Sequence, residues 1–252
     1  MSMKANRLDL IEEYILEHGN VSLPELSAVF QVSINTIRRD IAELVQRGKV
    51  KKVYGGVTIN GKTAPPVSVR ENTYSAEKEA IGRLAAPLVR DGDTIYLDSG
   101  TTTPFILRNL TSVQSLTIIS HSLRVLEEAS HYKEFHLIAV GGEYSYRTGD
   151  FSGLASSTDT LSRYHISKAF LSATAVSVRF GLSSTSFLEA EIKRSIVAGS
   201  DSLILLSDHS KFSRNAVISF CDLEQLEAIV TDCRPSEEIC TFCEENQIQL
   251  IF

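Results

Sequence analysis

Val32-Ser33-Ile34-Asn35-Thr36-Ile37-Arg38-Arg39-Asp40-Ile41-Ala42-Glu43-Leu44 is the stretch from which the first part of the fold is read. Ser33 suits the N-cap of a helix over 34–47, because its side-chain oxygen can accept from a free backbone amide of the first turn. Ile34, Ile37, Ile41, Leu44 and Val45 recur at helical spacing and form the expected buried stripe. Asn35, Thr36, Arg38 and Arg39 then fall on or near the opposite, solvated face. Gly48 ends the helix.

Upstream, Leu8, Ile11 and Ile15, flanked by Leu10 and Tyr14, predict a helix over 7–17 that Gly19-Asn20 stops. Ser22-Leu23-Pro24-Glu25 has the form of a capping box, with proline in the first turn where its missing N–H costs nothing. A short helix to about Phe30 follows, and Gln31-Val32-Ser33 is a tight turn. Downstream, 49–53 alternates like a strand, and Tyr54-Gly55-Gly56-Val57 reads as a hairpin with Gly-Gly supplying the positive φ of a two-residue turn. Three helices, a short turn between the second and third, and a basic hairpin predict a winged helix-turn-helix. Asn35, Arg38 and Arg39 would meet base edges in the major groove, and Lys51 and Lys52 would meet phosphates.

The formal net charge of -6 argues against nucleic acid until it is resolved along the chain. Residues 31–60 hold six bases (Arg38, Arg39, Arg47, Lys49, Lys51, Lys52) against two acids (Asp40, Glu43), a local balance of +4. Phosphate contact depends on this local field, which decays over about 8–10 Å at ordinary salt. No apolar run approaches the roughly 18–20 residues of a membrane span. The N-terminus has no apolar core behind Lys4, and four cysteines without a staple spacing suit a reducing, cytoplasmic setting.

Residues 58–74 are rich in Gly, Pro, Thr and Asn and read as a linker, dividing the chain into a DNA-binding domain over 1–57 and a larger domain over 75–252. In the larger domain strands are expected over 94–98, 116–120, 135–140, 169–173, 203–207, 228–231 and 248–252, with helices over 76–89, 122–129, 189–198 and 237–245 between them. Short continuous apolar runs separated by helices predict a doubly wound, mostly parallel α/β sheet covered on both faces. Ligands of such sheets sit beyond the carboxyl ends of the strands. There the chain places Asp98-Ser99-Gly100-Thr101-Thr102-Thr103-Pro104, whose hydroxyls and amides suit an anion, and Asp208-His209-Ser210-Lys211-Phe212, whose Lys211 can neutralise a phosphate. Gly141-Gly142 is a third point of close approach. Asp208-His209-Ser210 is no hydrolytic triad, since adjacent residues cannot assemble that geometry.

These motifs carry a family resemblance. Val32-Ser33-x-x-Thr36-Ile37-Arg38-Arg39-Asp40-Ile41-x-x-Leu44, then Gly48 and Tyr54-Gly55-Gly56, resembles the N-terminal signature of the DeoR family of bacterial regulators. The resemblance implies that Ser33, Thr36, Arg38 and Arg39 contact DNA, with Asp40 orienting an arginine and Tyr54 in the wing where the family often has His. Asp91-Gly92-Asp93-Thr94, Asp98-Ser99-Gly100-Thr101-Thr102, Gly141-Gly142, Glu189-x-x-x-Lys193, Asp208-x-Ser210-Lys211-Phe212 and Thr231-Asp232 match that family's sensor domain in order. The sensor domain is similar in fold to ribose-5-phosphate isomerase, whose phosphate loop looks like Ser99 to Thr103 and whose Asp-x-Ser-Lys motif looks like Asp208 to Lys211. The implied ligand set is Asp98, Ser99, Gly100, Thr101, Thr102, Thr103, Gly141, Gly142, Glu189, Lys193, Asp208 and Lys211. Where the family has Thr-Asn, this chain has Ser120-His121-Ser122, and His121 is either a ligand contact or a surface residue.

The rival reading is an isomerase-like enzyme fused to a DNA-binding domain. Aldose–ketose isomerisation needs a carboxylate base, and 171–176 (Leu-Ser-Ala-Thr-Ala-Val) lacks the acids those isomerases carry there. Cys240-Thr241-Phe242-Cys243 has metal-like spacing, but no histidine is near in sequence, and the pair reads as buried thiols on a helix face. The expectation is a non-enzymatic repressor of a sugar or nucleoside catabolic operon, without cofactor or metal. Its expected partners are operator DNA and a phosphorylated sugar, and a homo-oligomer, dimer or tetramer, is expected because one winged helix buries too little DNA for operator affinity.

Overall fold

The computed structural model describes residues 7, 8, 10–12, 14, 15, 21–53, 56–59, 65–153, 161 and 163–252. They divide into two compact units, Met1–Arg70 and Glu71–Phe252. The division falls inside the stretch read as a linker. That stretch is not structureless: a strand, Gly56–Ile59, runs into its start and a helix, Val67–Asn72 (α4), lies near its end. Pro65-Pro66 breaks a helix only from within; ahead of one, Pro66 offers its carbonyl to Val69 N and Arg70 N.

In the first unit the described residues of 7–15 are helical (α1), followed by α2 (Leu23–Val29), α3 (Ile34–Gln46), β1 (Val50–Val53) and β2 (Gly56–Ile59). Ser22 and Glu25 close a reciprocal capping box on α2, and Ser33 Oγ accepts from Thr36 N to cap α3. Gln31 takes φ 52° to reverse the chain between these helices, and Gly48 takes φ 71° to end α3. Leu8, Ile11, Ile15, Val21, Leu26, Ile37, Ile41, Leu44, Val50 and Val57 make the core. Ile34 and Val45 do not belong to it, being 36% and 37% exposed. At about 100° per residue both lie on the Ile41 flank of the stripe, about 20° and 40° beyond Ile41, and Asp40 on the other flank takes a buried place instead. The wing differs from expectation too. Val53 pairs with Gly56, so Gly56 opens β2 rather than turning the hairpin. Tyr54 and Gly55, like Gly19 and Asn20, lie outside the described residues.

The second unit carries a seven-stranded parallel sheet in the order β14-β13-β11-β8-β3-β4-β5. These are β3 (Thr94–Leu97), β4 (Thr117–Ser120), β5 (His136–Ala139), β8 (Ile166–Leu171), β11 (Ser200–Leu206), β13 (Ala228–Val230) and β14 (Gln249–Ile251), each overlapping an expected strand. Successive strand residues feed opposite faces, as a period of two requires. Tyr96, Ile119, Ala169, Leu171, Leu203 and Leu205 enter one core, and Ile95, Leu97, Ile118, Phe170, Ile204 and Leu206 the other. The second core packs on Ile81 of α5 (Ser75–Ala85), Ile106 of α6 (Pro104–Leu107) and Val125 of α7 (Leu123–Ala129). The first packs on Ile192 of α8 (Phe187–Ala198) and Ile239 of α9 (Glu237–Glu245). A small antiparallel sheet of β9 (Ala175–Ser177), β10 (Gly181–Ser184) and β12 (Ile218–Cys221) joins that core through Val176, Leu182 and Phe220. This sheet and the hairpin of β6 (Glu143–Ser145) and β7 (Asp150–Ser152) were not expected, their strands being too short to show a period. Among the described residues no helix is long and apolar enough to cross a membrane.

Candidate functional site

The N-terminal unit presents α3 to solvent. Asn35, Arg38 and Arg39 are exposed and lie three and four residues apart, so they share one face. Arg38 Nη1 donates to Asn35 Oδ1 at 3.4 Å. Thr36 is half-buried, its hydroxyl 2.9 Å from Ser33 Oγ, so this pair closes the helix start. Of the six bases in 31–60, Arg47 and Lys49 pair with Glu43 and Glu12 at 2.5 and 3.1 Å. Arg38, Arg39, Lys51 and Lys52 make no ion pair among the described residues. Lys51 and Lys52 are consecutive on β1 and therefore project from opposite faces of the ribbon. Asp40 does hold an arginine, but it is Arg7, whose Nε and Nη2 reach the two carboxylate oxygens at 2.8 and 3.2 Å. Asp40 is 1% exposed and faces inward, whereas Arg38 and Arg39 on the same helix face out. Tyr54 lies outside the described residues.

In the second unit the chain order of the sheet reverses between β3 and β8, and parallel sheets open a crevice at such a point. Asp98 follows β3 and Ser172 follows β8, so both stand at its mouth. Asp98 Oδ2 accepts from Ser172 N at 2.8 Å and Ser172 Oγ at 2.7 Å, while Oδ1 accepts from Ser99 N at 2.8 Å. Lys193 reaches in from α8, its Nζ 2.7 Å from Asp98 Oδ2, 3.0 Å from Glu189 Oε1 and 2.6 Å from the Ser172 carbonyl. Ser184 Oγ donates to the other Glu189 oxygen at 2.6 Å. Burial works against every charge in this cluster, yet the mutual attraction wins. It holds Lys193 above its ordinary value, and Asp98 and Glu189 below theirs.

The Ser99–Thr103 loop is built around these groups. Thr103 Oγ1 donates to the Asp98 and Gly100 carbonyls at 2.6 and 3.0 Å, so its hydroxyl ties the loop to itself. A Cβ on Gly100 would lie 2.4 Å from Ser172 Cβ, so the close approach that demands glycine is to the residue just after β8. The backbone N–H groups of Gly100, Thr101, Thr102 and Thr103 have no hydrogen-bond partner among the described residues. Amides left open in succession at a strand end are the donors from which an anion site can be built. The helix after them, α6, is a single turn and adds little dipole.

His121 is no surface residue. It is 1% exposed, with Nδ1 2.6 Å from the Tyr96 hydroxyl and Nε2 4.0 Å from Asp150 Oδ2. Tyr96 precedes Asp98 by two residues on β3, which puts both on one face of the sheet. Asp208 is buried, and its Oδ1 accepts from Ser210 N at 3.0 Å, capping the 3₁₀ turn His209–Lys211 that follows β11. Lys211 is half-buried at the foot of that turn. Gly141 and Gly142 are exposed beyond β5, the edge strand, two strand spacings or roughly 10 Å from β3. The structure does not gather them at the crevice; a Cβ on Gly142 would strike the backbone of Ser152 at 2.6 Å. Sequence reasoning missed Ser172, Ser184 and Tyr96. Ser172 entered that reading only as part of the 171–176 stretch that carries no acid, and nothing local marks the other two. Cys240 and Cys243 are buried free thiols.

The sequence model described as the DeoR-like helix-turn-helix domain matches residues 7–63, and that of the DeoR C terminal sensor domain matches residues 73–233. The chain is 41% identical over 247 residues to the HTH-type transcriptional regulator IolR of Bacillus subtilis (strain 168), covering 98% of each. It is 30% identical over 241 residues to the Glycerol-3-phosphate regulon repressor of Escherichia coli (strain K12), covering 95% of each. Among solved structures, ribose 5-phosphate isomerase A from Methanocaldococcus jannaschii is 20% identical, covers 56% of this chain and 55% of that one, and has a TM-score of 0.40, a likeness that says nothing of activity.

Proposed function

Since this chain belongs to the DeoR family of bacterial transcription regulators, we propose that it represses a sugar-catabolic operon and releases its operator when a phosphorylated sugar or polyol occupies the β3–β8 crevice. It is a DNA-binding regulator and not an enzyme. The run of open amides from Gly100 to Thr103 carries the effector reading, because a phosphate can satisfy several of them at once. The name of the glycerol-3-phosphate relative points to the same chemical class. Lys211 supplies a point charge to the phosphate, and His121 and Glu189 face the hydroxylated part of the ligand.

Asn35, Arg38 and Arg39 read base edges, Ser33 and Thr36 position α3, and Lys51, Lys52 and Tyr54 of the wing meet phosphates. The protein acts in the cytoplasm as a homo-oligomer, in which effector binding biases the disposition of paired α3 helices. The experiment is a thermal-shift and operator-release titration of the full chain, using an operator selected from random duplexes. The ligands are glycerol 3-phosphate, other sugar phosphates, their unphosphorylated counterparts and inorganic phosphate. A melting rise and operator release with phosphorylated forms alone is the expected result. Equal responses to unphosphorylated sugars would overturn the anion reading, and isomer production would overturn the sensor reading.

A further inference from the structure

The carboxyl ends of β11 and β13 bring together three side chains from two distant parts of the sequence. His209, Asp232 and Cys233 each offer a donor atom, and the three donors lie within 4.8 Å of one another. His209 Nδ1 stands 2.7 Å from Asp232 Oδ2, and the other Asp232 oxygen accepts from His209 N at 2.7 Å. Both carboxylate oxygens are thereby oriented by one residue. The Tyr74 ring meets the imidazole edge-on with centroids 5.0 Å apart, closing one side of the cluster. His209 and Cys233 are exposed and Asp232 half-buried, so an ion has free entry.

We propose that His209, Asp232 and Cys233 form a binding site for a borderline-soft divalent transition ion of the zinc type, with its fourth position open to solvent. One nitrogen, one oxygen and one sulfur donor exclude magnesium and calcium, which take oxygen ligands, and suit zinc, cobalt or iron. Tetrahedral bonds to such donors put them about 3.3–3.5 Å apart, a separation that lies inside the 4.8 Å spread of these three atoms. The Cys233 thiol must give up its proton on binding, which makes affinity rise with pH. A bound ion would clamp the turn that carries Lys211 to the end of β13.

The test uses the full-length reduced protein with Zn²⁺ or Co²⁺ as the only added probe. One equivalent of Co²⁺ should produce a sulfur-to-cobalt charge-transfer band, and Zn²⁺ should displace it and raise the melting temperature. Cys233→Ser should abolish the band, and His209→Ala should weaken binding more than about tenfold. Both positions are exposed, and unchanged melting of the metal-free variants would show that folding is intact. Absence of the band in the wild type overturns the site. So does a band that survives both substitutions, because the ion would then sit on other thiols.

Discussion

Lys193 Nζ stands 2.7 Å from Asp98 Oδ2 with both side chains withdrawn from solvent, joining the end of β3 to α8 across the crevice of the sheet. Two buried opposite charges in contact are tolerated because each also has hydrogen-bond partners: Ser172 and Ser99 for the carboxylate, the Ser172 carbonyl and Glu189 for the ammonium. Removing one member leaves the other uncompensated. Lys193→Met should therefore lower the stability of the sensor unit by about 3–5 kcal/mol, measured by urea unfolding. A loss below about 1 kcal/mol would mean the ammonium contributes little beyond its methylene packing.

The same cluster sets an acid limit. Asp98 and Glu189 stand below their ordinary values despite burial, because Lys193 outweighs it. A depressed folded-state value contributes stability that is present above the unfolded carboxylate range, about pH 4, and is lost as pH falls through the folded value. Melting should be level near neutrality and drop below about pH 4. In Lys193→Met the deficit should shrink on acidification, since a protonated Asp98 no longer needs the cation. A deficit that is constant with pH would remove Asp98 from the account.

Gly100→Ala puts a methyl group 2.4 Å from Ser172 Cβ, and the loop must move. A stability loss of about 1–3 kcal/mol is expected, with effector affinity falling further than stability because the open amides move with the loop. Calorimetric titration beside urea unfolding separates the two. Unchanged effector affinity would place the anion elsewhere.

Arg38→Ala should cost about 1–3 kcal/mol of operator binding and leave effector-induced melting shifts intact, since Arg38 makes no ion pair among the described residues. Fluorescence anisotropy at several salt concentrations measures it. Loss of both responses would contradict two separable units.

Arg7→Met should behave in the opposite manner, acting on folding first. It strips the cation from an Asp40 that is 1% exposed, at a cost of about 1–3 kcal/mol to the N-terminal unit. Asp40→Asn combined with Arg7→Met should recover much of that loss, and no recovery would argue against the pair.

Much of this protein was legible from local pattern. Capping residues mark themselves, so Ser22 and Ser33 announced α2 and α3. The strands of the parallel sheet are short apolar runs set between helices, so all seven were visible. The loop after β3 was visible as a Gly-Thr turn at a strand end, but not that its glycine packs on Ser172 and its Thr103 hydroxyl ties the loop to itself. What local pattern missed were contacts closed between residues far apart in the chain. Asp40 was expected to hold an arginine, but nothing nearby pointed to Arg7, 33 residues earlier. Asp98 and Lys193 were both nominated as ligand contacts, yet only the packing of α8 on β8 revealed that they spend their charges on each other. Gly141-Gly142 looked like the loop after β3 but follows an edge strand, and strand order is not encoded locally. Cys233 had no histidine near it in sequence and gained His209 only through the parallel pairing of β11 with β13. Periodicity, capping and turn chemistry act over a few residues and can be read from the chain. Which charge meets which depends on strand order and helix packing, and those are settled only when the whole core closes.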